Sequence, residues 1–120
     1  MSRDVSKLRV FHTADELMVR LYQATATLPA EERYGLQSQL RRAALSVPLN
    51  IVEGSARRTL KEYLNFLNVA TASTAEVLYL LTVVRRLGLL QGEAGEKLEN
   101  EYRELLKSLR AMLRGLADPA

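Results

Sequence analysis

The sequence of 120 residues contains no cysteine, so disulfide bonds and thiolate metal sites are excluded. It contains one histidine, His12, which excludes zinc and di-iron sites built from several histidines. We therefore expect no metal and no cofactor. The first ten residues lack an apolar run, so we also expect no secretory signal and a cytoplasmic location.

An excess of one sign of charge occurs in only one part of the sequence. The whole chain has 17 basic and 14 acidic residues, but between residues 33 and 61 the only acidic residue is Glu53. The basic residues of this region are Arg33, Arg41, Arg42, Arg57, Arg58 and Lys61. The asymmetry is compatible with an anionic partner such as RNA or DNA, but basic faces on soluble bundles are common without one, so composition alone favours a solvated basic face.

Apolar residues recur at helical spacing in four segments, and no segment alternates as a β-strand does. The pattern predicts helices at about residues 7–28, 34–54, 60–87 and 94–116. Short turns join them. The expected fold is therefore all-α, an antiparallel up-down-up-down four-helix bundle, as a single domain over residues 1–120.

Local signals refine the second and third helices. Pro48 lies inside the apolar period of the second helix, which continues past it and so predicts a kink rather than a break. We expect Gly54 to end that helix in the left-handed conformation. Thr59 and Glu62 form a capping-box pattern before the third helix, and Gly88 is typical of a helix C-cap.

The third helix is unusually apolar, with Glu76 its only charge between residues 63 and 84. It is long enough to cross a bilayer, but its Asn, Thr and Ser residues make insertion costly, so we expect no membrane partner. Leu80 and Val83 lie off its main apolar stripe. We predict that these two residues contact a second copy in a homo-oligomer.

A polar stripe follows one edge of the second helix at spacings of four, four and three. Its members are Arg42, Ser46, Asn50 and Glu53. We interpret it, together with Glu76, as a seam at a bundle or subunit interface in which charged groups pair with one another. The alternative is a ligand-contact line, which the carboxylate of Glu53 would disfavour because it repels phosphate.

The remaining basic residues are the predicted nucleic-acid contacts: Arg33, Arg41, Arg57, Arg58 and Lys61. Tyr34 is the nearest aromatic residue, so little base stacking and little sequence specificity are expected. The sequence contains no nucleophile motif, acid–base constellation or phosphate-binding loop, and we therefore expect no enzymatic activity.

Residues 32–67 resemble the proteins encoded in intervening sequences of bacterial 23S ribosomal RNA genes. The matching features are YGL at 34–36, QLRRA at 39–43, SVP at 46–48, NIVEG at 50–54 and STAE at 73–76. The resemblance implies a four-helix bundle that assembles as a homopentamer. It also implies likeness in fold to the accessory variability protein of diversity-generating retroelements, with RNA as the suspected partner.

Two functions fit these observations. The first is a non-enzymatic, homo-oligomeric module that binds nucleic acid through its basic residues. The second is a scaffold or adaptor whose partner is another protein, with the arginine pairs only solubilising the surface or bridging subunits.

Overall fold

A computed structural model describes residues 3–117, which contain four α-helices, two short 3-10 turns and no strand. The helices are α1 (Arg9–Thr25), α2 (Leu36–Ser55), α3 (Leu60–Arg86) and α4 (Glu93–Ala117). The prediction of an all-α fold is confirmed, and each predicted bound is within three residues of the observed one. Residues 1, 2 and 118–120 of the predicted domain lie outside the described range.

Contacts between α2 and α3 show that the two helices run in opposite directions. The hydroxyl groups of Ser46 and Ser73 are 2.7 Å apart, and Gln39 Nε2 donates to Glu76 Oε2 at 3.4 Å. Residue numbers thus fall along α2 as they rise along α3. The pairing is antiparallel, as expected for helices joined by a four-residue turn.

The fourth helix closes the bundle against both α3 and α1. Arg85 in the last turn of α3 donates to Glu99 in the second turn of α4 at 2.9 Å. Arg20 in the second half of α1 forms an ion pair with Glu101. The start of α4 therefore lies beside the ends of α1 and α3.

The interior contains apolar side chains from all four helices, as the sequence period predicts. Tyr63 of α3 and Tyr102 of α4 are its largest members, and neither hydroxyl group has a hydrogen-bond partner among the described residues. Burial raises the pKa of both tyrosines, although Arg3 and Arg20 act in the opposite direction on Tyr63 and Tyr102 respectively. A neutral hydroxyl is favoured there because the interior solvates a phenolate poorly.

The ends of α3 agree with the predicted caps. The backbone N–H of Glu62 donates to Thr59 Oγ1 at 3.1 Å. At the other end Gly88 has a φ of 74°, and the backbone N–H of Leu89 donates to the Val84 carbonyl at 2.9 Å. Both caps supply partners for backbone groups that the helix itself leaves unpaired.

The prediction for Gly54 is wrong. α2 continues through Gly54 to Ser55, and the φ of Gly54 is not positive. A Cβ atom at this position would lie 2.8 Å from the Cβ of Phe66 and 3.3 Å from Cδ1 of Tyr63. The residue is glycine because α3 passes too close for a side chain. The helix also runs through Pro48 without a break, as expected, and the kink stays a prediction.

Within the described residues, α3 is the one helix that is long and apolar enough to cross a membrane. Core helices of globular proteins commonly have the same length and composition. Seven of its side chains are buried within the bundle, including Leu67 and Leu81. The expectation of no membrane partner stays a prediction.

Candidate nucleic-acid interface

The predicted basic residues do not form one surface on one protomer. Arg33 precedes α2, whereas Arg57, Arg58 and Lys61 follow it. A helix of the 20 residues of α2 is about 30 Å long. The two groups therefore lie at opposite ends of the bundle.

Arg41 lies near the first of these groups and has a structural role. Its Nε donates to Thr25 Oγ1 at 3.0 Å, and its Nη2 donates to the Tyr22 carbonyl at 2.8 Å. The guanidinium group also lies 4.7 Å from the centre of the Tyr22 ring. Beside it, Gln37 Nε2 donates to the Thr25 carbonyl at 2.9 Å. Two side chains of α2 thus satisfy carbonyl groups at the C-terminal end of α1, and the predicted contact of Arg41 with nucleic acid stays a prediction.

The other three predicted residues surround the turn between α2 and α3, and all three are exposed. Arg57 forms a loose ion pair with Glu53, with 3.8 Å between Nη2 and Oε2. Its guanidinium group lies 4.8 Å from the centre of the Phe66 ring. Such exposed pairs contribute little to stability, so the charge of Arg57 stays accessible to a ligand.

The structure adds Arg3 to this turn, and sequence reasoning missed it. The backbone N–H of Arg3 donates to the Ser55 carbonyl at 2.6 Å, and its guanidinium group lies 4.0 Å from the centre of the Tyr63 ring. This contact could have been predicted from the expected topology of the bundle. In an antiparallel bundle, the residues before α1 meet the end of α2.

The end of α4 lies at this same end of the bundle. A groove between α1 and α4 is lined by Arg9 and Thr13 on one side and by Glu104 and Ser108 on the other. The last turns of α4 therefore lie beyond the start of α1. We call the end of the bundle that contains the α2–α3 turn, the start of α1 and the last turns of α4 the basic end. Its basic residues are Arg3, Lys7, Arg9, Arg57, Arg58, Lys61, Arg110 and Arg114, and its acidic residues are Asp4, Glu53 and Glu62.

The opposite end has a different charge balance. It contains five acidic residues, Glu31, Glu32, Glu93, Glu96 and Glu99, and five basic ones, Arg33, Arg41, Arg85, Arg86 and Lys97. Glu99 is 9% exposed and accepts hydrogen bonds from Arg85 at 2.9 Å and from Arg103 at 3.2 Å. An anion would find more repulsion and fewer accessible donors here than at the basic end.

The predicted polar stripe lies along the groove between α2 and α3, with neutral hydrogen bonds at its centre. The hydroxyl group of Ser46 meets that of Ser73, and Asn50 Nδ2 donates to the Ser46 carbonyl at 2.7 Å. Asn50 is thus paired within its own helix.

The charged members of the stripe do not pair with one another within one protomer, and their pairing at a subunit interface stays a prediction. No ion pair joins any two of Arg42, Glu53 and Glu76 in the described part of the chain. Glu53 instead pairs with Arg57, which lies two residues past the end of α2. Arg42 stays exposed at the mouth of the groove.

Leu80 and Val83, the predicted oligomer contacts, are both half-buried, and Leu80 packs against the core of its own bundle. More exposed apolar residues lie elsewhere on the outer surface. On α2 these are Leu45, Leu49 and Val52, each 40–49% exposed. On and just after α3 they are Leu60, Val69, Tyr79 and Leu87, each 46–65% exposed.

Residues 3–117 hold no cluster of three or more His, Asp or Glu side chains that could bind a metal ion.

The fold of this chain is similar to that of a solved structure, and its sequence matches a known family. The sequence profile of the family described as 23S rRNA-intervening sequence protein matches residues 6–111. A crystal structure of a protein of unknown function from the S23 ribosomal protein family of Bacteroides thetaiotaomicron is similar, with a TM-score of 0.78. The two chains are 23% identical, and the likeness, which concerns the fold alone, covers 88% of this chain and 98% of that one. No curated protein matches this sequence.

Proposed function

The chain belongs to the 23S rRNA-intervening sequence protein family, and from this premise we propose that it binds nucleic acid, RNA in particular, through its basic end. In this proposal it is a homo-oligomeric four-helix bundle without enzymatic activity. The observation that carries the proposal is the gathering of eight basic and three acidic side chains at one end of the bundle.

The chemistry of that end suits a phosphate backbone. Arginine and lysine side chains that neutralise phosphates release condensed counterions, which makes affinity fall steeply with salt. One protomer offers few such contacts. An oligomer that presents several basic ends to one RNA makes more of these phosphate contacts. Affinity then rises because every contact after the first is intramolecular.

Contacts of this type position a nucleic acid without reading its sequence. Phosphate oxygens are the same at every nucleotide, and specificity requires hydrogen bonds or apolar contacts to base edges. Of the aromatic rings at the basic end, Tyr63 and Phe66 lie beneath Arg3 and Arg57, and Phe11 packs against the core. We therefore expect low sequence specificity.

The exposed apolar residues of α2 and α3 support self-association. Leu45, Leu49 and Val52 recur at spacings of four and three, so they form one stripe along the outer face of α2. Val69 and Tyr79 lie on the outer face of α3. Contiguous apolar surface of this kind marks interaction sites in soluble proteins.

The RNA contact is tested by a double variant at the basic end, Arg57→Ala with Arg58→Ala. The matched control at the opposite end is Arg33→Ala with Arg86→Ala. Binding of a labelled RNA is measured at several salt concentrations. We expect only the basic-end variant to bind the RNA more weakly. The slope of log affinity against log salt concentration should become shallower by about 1.4, because two single-strand phosphate contacts are lost and each contributes about 0.7.

Equal losses in the two variants would show that only net charge matters and would remove the basic end as the site. No binding by the wild type at low salt would favour the alternative, a protein–protein scaffold without nucleic-acid contact. In that case the exposed apolar stripes would be the surfaces for its partner.

Self-association is tested by Leu49→Glu, because Leu49 is 49% exposed and its replacement leaves the core intact. The measurement is mass in solution by light scattering, with thermal unfolding as the check on folding. We expect smaller particles with an unchanged melting temperature. A wild type that is monomeric at micromolar concentration would contradict the oligomer.

A further inference from the structure

Two arginines of the basic end differ from its other cations because each lies over an aromatic ring. The guanidinium carbon of Arg3 is 4.0 Å from the centre of the Tyr63 ring, and that of Arg57 is 4.8 Å from the centre of the Phe66 ring. Tyr63 and Phe66 are three residues apart on α3, so they lie on the same side of the helix. The two guanidinium groups are therefore neighbours.

The backbone fixes both arginines in these places. Arg3 is tied to the end of α2 by the hydrogen bond from its N–H to the Ser55 carbonyl. Arg57 lies two residues past the end of α2, where its N–H donates to the Gly54 carbonyl at 3.1 Å, and α2 approaches Phe66 closely because Gly54 has no side chain. Each guanidinium group thus has a ring beneath it before any ligand arrives.

A guanidinium group held on a ring has one face covered and offers its other face and its N–H edges to a ligand. The planar face of arginine stacks on nucleobases, whereas the ammonium group of lysine has no such face. In a duplex both faces of an internal base are covered by its neighbours. An unpaired base has a free face, and proteins bind unpaired bases by stacking on aromatic rings and on guanidinium planes.

Resting on the proposed RNA-binding function, we infer that Arg3 and Arg57 make the basic end selective for unpaired nucleotides, whose bases stack on the ring-supported guanidinium groups. The other cations of that end contact phosphates in single strands and duplexes alike.

The test compares a single-stranded RNA with a duplex of the same sequence and length, using two variants that keep the net charge. Arg57→Lys removes the planar face, and Phe66→Leu removes the supporting ring while keeping an apolar side chain. For each variant we expect about a threefold to tenfold loss of affinity for the single strand and less than about a twofold loss for the duplex.

The matched control is Arg33→Lys, which makes the same change at an exposed arginine of the opposite end. Its ratio of single-strand to duplex affinity should equal that of the wild type. Thermal unfolding checks that Phe66→Leu folds, and Arg57→Lys, at an exposed side chain, tests the inference independently of the core.

The possible failures are distinguishable. If Arg57→Lys and Phe66→Leu bind both RNAs as the wild type does, while Arg57→Ala weakens both, the inference is wrong and the proposed function stands. If the wild type binds neither RNA at low salt, the proposed function and the inference are both wrong.

Discussion

Arginine side chains at the two ends of this bundle differ in how many of their donors are paired within it, although Arg41 toward the opposite end also lies over a ring, that of Tyr22. Toward the opposite end, Arg85 and Arg103 donate to Glu99, a carboxylate that is 9% exposed. At the basic end, Arg3 and Arg57 lie over aromatic rings, and the ion pair of Arg57 with Glu53 is long and exposed. In the first arrangement both arginines have paired donors, and the hydrogen bond from Arg85 to Glu99 joins α3 to α4. The second leaves charge accessible, so the paired guanidinium groups lie toward one end of the bundle and the accessible ones at the other.

Among the variants that test this difference between the two ends, Glu99→Ala is expected to change the measured property most, by lowering the free energy of unfolding. The change removes the acceptor shared by Arg85 and Arg103, and a broken, largely buried ion pair is strongly destabilising because charge is left without compensation. Since both arginines are partly exposed, we expect a loss of about 2 kcal/mol in the free energy of unfolding. Chemical denaturation gives the measurement.

The control for that change is Glu104→Ala, because Glu104 forms an exposed ion pair with Lys107 at 3.4 Å. Exposed pairs of this kind contribute little, and the variant should unfold within about 0.5 kcal/mol of the wild type. Equal losses in the two variants would contradict the structural role assigned to the opposite end.

Gly54→Ala tests the close approach of α2 and α3 that supports the basic end. Alanine favours a helix over glycine by about 1 kcal/mol, but here its Cβ would meet Phe66 at 2.8 Å. Overpacking should dominate and destabilise the protein by about 1–2 kcal/mol.

Gly115→Ala is the matched change, since a Cβ at that helical position meets nothing within 4 Å. It should be neutral or slightly stabilising. A Gly54→Ala variant that is as stable as the wild type would show that the two helices can separate at no cost.

Tyr102→Phe tests the buried hydroxyl group of Tyr102, which belongs to neither set of arginine contacts. This hydroxyl has no hydrogen-bond partner within residues 3–117, and removing such a group should stabilise the protein by about 1 kcal/mol at pH 7. Burial raises the pKa of Tyr102, so the folded state retains a proton that the unfolded state releases above about pH 10. Wild-type stability should therefore fall for this group as pH rises through about 10, with a slope that approaches about 1.4 kcal/mol per unit only well above that pH.

The variant should lose that part of the alkaline dependence, as measured by denaturation between pH 9 and pH 11. Tyr79→Phe, at a side chain that is 65% exposed, should change neither quantity. A Tyr102→Phe variant with the wild-type pH profile would mean that the hydroxyl reaches water.

The smallest expected effect is that of Glu53→Gln on RNA affinity. Glu53 lies 3.8 Å from Arg57 and competes with a phosphate for it, so its neutralisation should raise affinity about twofold to threefold. Glu31→Gln, the same change at the opposite end, should have less effect. The reverse order would place the RNA contact away from the basic end.

Much of the fold could be predicted because its signals are local. The apolar period located all four helices, and Thr59 with Glu62 and Gly88 correctly marked the ends of α3. Gly54 was misinterpreted because a glycine near a helix end has two uses, a left-handed stop and a close helix contact. Only the position of Phe66 distinguishes them.

The candidate site was predicted less well because charges were grouped by their order in the chain. Arg33 and Arg57 belong to one basic stretch of sequence, yet the length of α2 separates them. Arg3, in contrast, is distant in sequence from Arg57 and close to it in the bundle.

The order of amino acids by itself determined where the helices form and which face of each is buried, because both depend on residues within a turn or two of one another. Which cations become neighbours was decided only by the tertiary structure. Antiparallel packing brings together the ends of helices that are far apart along the chain, and electrostatic attraction for a ligand depends on distance in space.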